Sequence, residues 1–100
     1  MRAWLSSRRR EPEPQGRPIE RIAADVRRLC VCYHSLDPRT PFVKVEALRG
    51  AYDKVLGECC TALGRTHLLG VLAAGPELDA ERDRVEDLVR DSGVRLPYAA

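Results

Sequence analysis

Pro18-Ile19-Glu20-Arg21-Ile22-Ala23-Ala24-Asp25-Val26-Arg27-Arg28-Leu29-Cys30-Val31-Cys32-Tyr33 is the stretch that decides the fold. Ile19, Ile22, Ala23, Val26, Leu29, Cys30 and Tyr33 recur at spacings of three and four, which on a helix of about 3.6 residues per turn makes one apolar stripe. Glu20, Arg21, Asp25, Arg27 and Arg28 fill the opposite arc as a solvated face. Pro18 brings a fixed φ suited to the first helical position, and Glu20 stands in the first turn, where the helix dipole favours an acid. A helix with one apolar stripe must bury it, so the flanking sequence has to supply partners.

Downstream, residues 34–39 make a polar connection, and Thr40-Pro41 reads as an N-cap followed by proline at the first helical position. Val45, Leu48, Tyr52, Val55, Leu56, Cys59 and Leu63 repeat the stripe, and Gly64 occupies the position where glycine stops a helix. These two helices are expected to form an antiparallel hairpin. Residues 65–75 are apolar but short, and a helical turn tucked under the bundle is expected there. Gly75-Pro76-Glu77 then opens a third helix, with Leu78, Val85, Leu88 and Val89 facing inward, a Glu86–Arg90 pair at i,i+4, and Gly93 as its end. Val94, Leu96 and Tyr98 alternate with Arg95 and Pro97, as an extended segment pinned across the bundle does. The expected fold is therefore all-α: a small three-helix bundle made of a helical hairpin plus a third helix, one domain over residues 17–100.

Residues 1–16 have a different character. Arg8-Arg9-Arg10 precedes the Glu-Pro repeat Glu11-Pro12-Glu13-Pro14, and such a segment lacks the apolar surface to offset its ordering entropy, so a disordered basic tail is expected. Trp4 and Leu5 are its apolar residues suited to docking transiently on the bundle or on a partner. Across all 100 residues, seventeen Lys and Arg face fifteen Asp and Glu, a net charge of +2 that provides no long-range field for attracting nucleic acid. No apolar run approaches the roughly 20 residues of a membrane span. The Ser7-Arg8-Arg9-Arg10 run superficially suggests twin-arginine export, but acid and proline follow where an apolar region should stand. Cytoplasmic residence is expected, with the four cysteines as reduced thiols.

Residues 18–29, Gly64 to His67, and Glu81-Arg82 through Val85-Glu86 to Gly93 resemble a pattern of uncharacterised small helical proteins common in high-GC Gram-positive bacteria. The resemblance covers the chain from Arg17 onward and implies a bacterial helical protein. It implies no activity, ligand or catalytic residue.

Candidate chemistry is sparse. Cys30-Val31-Cys32 and Cys59-Cys60 suggest a four-thiolate zinc site, but residues i and i+2 on a helix point about 200° apart and adjacent ones about 100° apart, so neither pair chelates. The two pairs also fall at opposite ends of the hairpin. No metal or other cofactor is expected. Cys30 and Cys59 read as core thiols, whereas Cys32 projects to the polar arc and is the candidate reactive thiol, favoured by Arg28 and opposed by the negative end of the helix. His34 and His67 are the histidines available to a thiol as a base, but the chain offers little room for a catalytic cleft, and His67 reads most simply as a hydrogen-bonding group at a helix end. Residues 61–66 faintly resemble a helix-turn-helix turn, yet residues 68–74 present almost no polar side chain to a base edge. Arg8, Arg9 and Arg10 are the candidate phosphate contacts, set against a solvated charge run beside Glu11 and Glu13.

The remaining feature is Gly50 and Gly57, seven apart on one side of the second helix, each costing about 1 kcal/mol relative to alanine in a helix. They are expected to lie against another helix, from this chain or a second copy; glycine drift under GC-rich coding accounts for them equally well. Ala24 and Val31 lie outside the core stripe of the first helix at i and i+7, and together these four residues form a candidate interaction surface. The expected function is that of a non-enzymatic cytoplasmic module acting through protein contact, with a homodimer as one form of it. A nucleic-acid-associated regulator using the Arg-rich tail is the alternative, and a thiol-based redox sensor or enzyme the third.

Overall fold

The computed structural model describes residues 17–97 and, among these, contains three helices and no strand. They are α1 (Ile19–His34), α2 (Phe42–Ala62) and α3 (Pro76–Asp91). The all-α three-helix bundle expected from the periodicity is the fold observed. The Arg8–Arg10 run, Trp4, Leu5 and Tyr98 lie outside the described residues. Among the described residues no helix is long and apolar enough to cross a membrane.

Helix ends follow local chemistry. Gly64 and Gly93 take φ of +76° and +101°, left-handed values that glycine adopts without Cβ strain. Each closes its helix with the paired bonds of a Schellman motif: Arg65 N–H to Cys60 O and Gly64 N–H to Thr61 O after α2, Val94 N–H to Val89 O and Gly93 N–H to Arg90 O after α3. Pro76 opens α3 at its first turn, as expected. At α2 the expected start is displaced by one residue. Pro41 itself is the N-cap and its carbonyl accepts the Lys44 and Val45 N–H groups, so the Thr40 hydroxyl does not cap.

Helix α2 packs against both α1 and α3. The core joins Ile22, Val26 and Cys30 of α1, Tyr52, Leu56, Cys59 and Cys60 of α2, and Leu78, Val85 and Val89 of α3. Leu69 from the α2–α3 connection and Leu96 from the C-terminal segment close it from outside the helices. The connection makes a single turn, with Val71 and Leu72 N–H groups both bonded to Leu68 O, as expected for an apolar piece too short for a helix. The expected Glu86–Arg90 pair is absent. Arg90 bonds Asp87 at 2.8 Å instead, because Glu86 points inward toward Tyr52 and His34.

Candidate functional site

Two features stand out, and they meet at Asp53. The first is a buried polar network between the helices. Asp53 and Arg82 are buried on facing helices, and each carboxylate oxygen accepts from the guanidinium: Nε to Oδ1 at 2.6 Å and Nη2 to Oδ2 at 3.0 Å. This two-pronged geometry suits a planar guanidinium. Arg82 Nη1 also donates to Asp79 at 2.9 Å and to the Tyr33 hydroxyl at 3.2 Å, and its charge lies 5.1 Å from the Tyr33 ring centre. Burial pulls the Arg82 pKa down, but the Asp53 and Asp79 carboxylates more than offset it and the net shift is upward. Glu86 accepts from the Tyr52 hydroxyl and lies 2.9 Å from His34 Nε2. Burial, reinforced by Cys30 and Glu86, pushes the Tyr52 hydroxyl far above its ordinary range, so it acts as a neutral donor.

The second feature is a cleft of about 700 Å³ along the glycine side of α2, lined by residues that include Gly50, Asp53, Lys54, Gly57, His67 and Leu69. A Cβ built on Gly50 meets no heavy atom within 4 Å, so this part of the floor is open. A Cβ on Gly57 meets the His67 ring at 2.6 and 2.7 Å. The close neighbour of Gly57 is therefore an imidazole of the connection, where another helix was expected. His67 is held there by accepting the Leu69 N–H at Nδ1, 3.1 Å away; it serves its own connection and not a helix end. Glu81 fixes the same connection from α3 by accepting the Leu68 N–H at 2.8 Å. Arg84 and that backbone donor lower the Glu81 pKa to about 2.

Charge at the cleft is mostly paired. Arg17 bonds Glu58 at 2.7 Å and Asp25 at 2.7 Å; these hydrogen bonds lower both carboxyl pKa values and raise that of Arg17. Arg49 bridges Glu46 and Asp53. Lys54 has no ion pair among the described residues and is the cation of the lining left without a bonded carboxylate. No family model matches the chain. No curated protein or solved structure matches it either.

Of the candidates read from the sequence, Gly50, Gly57 and His67 come together at this cleft. Ala24 and Val31 are exposed on α1, away from the cleft lining. Cys32 is exposed, while Cys30, Cys59 and Cys60 are buried; burial raises the Cys59 and Cys60 thiols and keeps them protonated. The residues missed were Asp53, Arg82 and Glu86. Their signal was positional: Arg82 continues the stripe Leu78, Arg82, Val85, Val89, and Asp53 adjoins Tyr52 one turn before Leu56.

Proposed function

We propose that this protein is a non-enzymatic, cytoplasmic helical module that docks an acidic amphipathic helix of a partner protein in the cleft over Gly50. The observation that carries this is the open glycine floor with the unpaired Lys54 at its edge. A helix interior that gives up about 1 kcal/mol at each glycine gains close backbone approach in return, the property that small-residue helix faces provide. Gly57 uses that space for His67 within the chain; Gly50 leaves it unfilled. The volume falls within the range of binding pockets, roughly 300–1,000 Å³, and accepts a few side chains of a docked helix. Leu68 and Val71, adjacent in sequence to the cleft-lining Leu69 and Gly70, are 51% and 75% exposed and extend the apolar contact. Lys54, which has no ion pair among the described residues, favours a carboxylate on the incoming helix.

A photo-crosslinking amino acid at position 50 of the full chain, activated in cells, tests this. The expected result is covalent capture of one acidic helical segment, identified by mass spectrometry, with no such capture from position 27 on α1. Equal labelling from both positions, or none, overturns the proposal. Capture of a second copy through Glu77, Asp83 or Asp87, exposed acids of α3, would replace the foreign partner with a homodimer.

A further inference from the structure

We infer that Cys30, His34 and Glu86 form a binding site for a divalent transition-metal ion of the Zn²⁺ class. The Cys30 thiol, a ring nitrogen of His34 and a Glu86 carboxylate oxygen all lie within 4.8 Å of one another. Cys30 and His34 are four apart on α1, the spacing that stacks two side chains on one helical face. Glu86 reaches the same point from α3. Neither thiol pair in the sequence has this register, since residues two apart or adjacent diverge around the helix.

The donor set fits a borderline-soft cation. Bonds of about 2.0–2.3 Å in tetrahedral geometry place donor atoms roughly 3.3–3.8 Å apart, so the cluster needs only small rotations about side-chain torsions. Three protein donors leave a fourth position for water. Thiolate plus imidazole favours Zn²⁺ over Mg²⁺ or Ca²⁺, which take oxygen ligands. On coordination the Cys30 thiol loses its proton to the buffer, His34 binds as neutral imidazole, and the Glu86 contact to His34 gives way to two bonds to the ion. The Tyr52 hydroxyl donates to Glu86, an outer hydrogen bond of the kind that orients a metal-bound carboxylate. The ring of Tyr33 stands edge-on to His34, with centroids 5.2 Å apart. Cys30 and Glu86 are 1% and 7% exposed, whereas the His34 side chain is 30% exposed, so an ion reaches the buried donors past the imidazole.

Cobalt(II) titration of the reduced full-length chain reads the site directly. A thiolate-to-cobalt charge-transfer band and tetrahedral ligand-field bands should saturate at one ion per chain and disappear on addition of Zn²⁺. Cys30→Ser should remove the charge-transfer band, and His34→Gln and Glu86→Gln should each weaken cobalt binding at least tenfold. Cys32→Ser should leave both unchanged. His34→Gln alters a partly exposed side chain, so it keeps the test decisive if Cys30→Ser fails to fold by circular dichroism. Absence of the charge-transfer band in the wild-type protein, its survival in Cys30→Ser, or wild-type cobalt affinity in His34→Gln overturns the assignment. This result is independent of the cleft, because neither Cys30, His34 nor Glu86 lines it.

Discussion

Replacing Gly57 with alanine should destabilise the protein, although the same change at Gly50 should stabilise it. Both glycines lie inside α2, so each substitution gains about 1 kcal/mol of helix propensity. At Gly50 nothing opposes that gain, since the new methyl meets no atom within 4 Å. At Gly57 the methyl would lie 2.6 Å from His67 Cε1 and 2.7 Å from Nε2, and the ring must move. Moving it breaks the Leu69 N–H bond to Nδ1, a loss of about 1 kcal/mol, within a total overpacking cost of about 1–3 kcal/mol. The net change for Gly57→Ala is then between about 0 and 2 kcal/mol destabilising. Removing the ring should reverse the sign: in a His67→Ala background, Gly57→Ala should stabilise by about 1 kcal/mol, a coupling of about 1–3 kcal/mol. Urea titrations of Gly50→Ala and of the four proteins of the Gly57/His67 cycle measure this. If Gly57→Ala is as stabilising as Gly50→Ala with His67 present, the imidazole does not lie on Gly57 and the reading of the connection is wrong.

Other outcomes follow from the buried network and the thiols. Arg82→Ala leaves buried Asp53 with Arg49 as its remaining partner, at 3.1 Å, and should cost up to about 3–5 kcal/mol, whereas the paired Asp53→Leu, Arg82→Met protein should lose far less; equal losses in the two proteins would contradict the pairing. Glu81 has a folded-state pKa of about 2 against an ordinary value of 4.5, so its contribution is fully present above pH 4.5 and is lost as pH falls through about 2. The Leu68 amide resonance should follow that titration, and a midpoint near 4.5 would show that the carboxylate does not hold the connection. With folded protein, a thiol reagent should modify Cys32 rapidly and Cys30, Cys59 and Cys60 only on unfolding; peptide mapping that finds Cys59 modified as fast as Cys32 would refute the packing of α2.

The fold was legible because apolar stripes, glycine stops and helix-opening prolines are local signals. Gly64, Gly93 and Pro76 stand where their backbone chemistry places them. The site was less legible because a charged residue in a stripe reads as an interruption. Arg82 and Glu86 share the inward face of α3 with Leu78, Val85 and Val89, and their pairing depends on partners 29 and 34 residues earlier, Asp53 and Tyr52. No periodicity within one helix shows such pairing. Cys30 and His34 were readable as an i,i+4 couple, but their third donor comes from α3. The His67 contact was hidden for another reason: the path of residues 63–75 follows from the Glu81 and Leu69 contacts, and no periodic pattern encodes these.

The docking account is tested most directly by Gly50→Trp, which places an indole on the open floor of the cleft, where the new Cβ meets no atom within 4 Å. Affinity for the helical segment captured from position 50 should be measured by titration against both wild type and this variant, alongside their urea midpoints. The account predicts an unchanged or higher midpoint together with at least a tenfold loss of affinity. Wild-type affinity in a folded Gly50→Trp protein would contradict it.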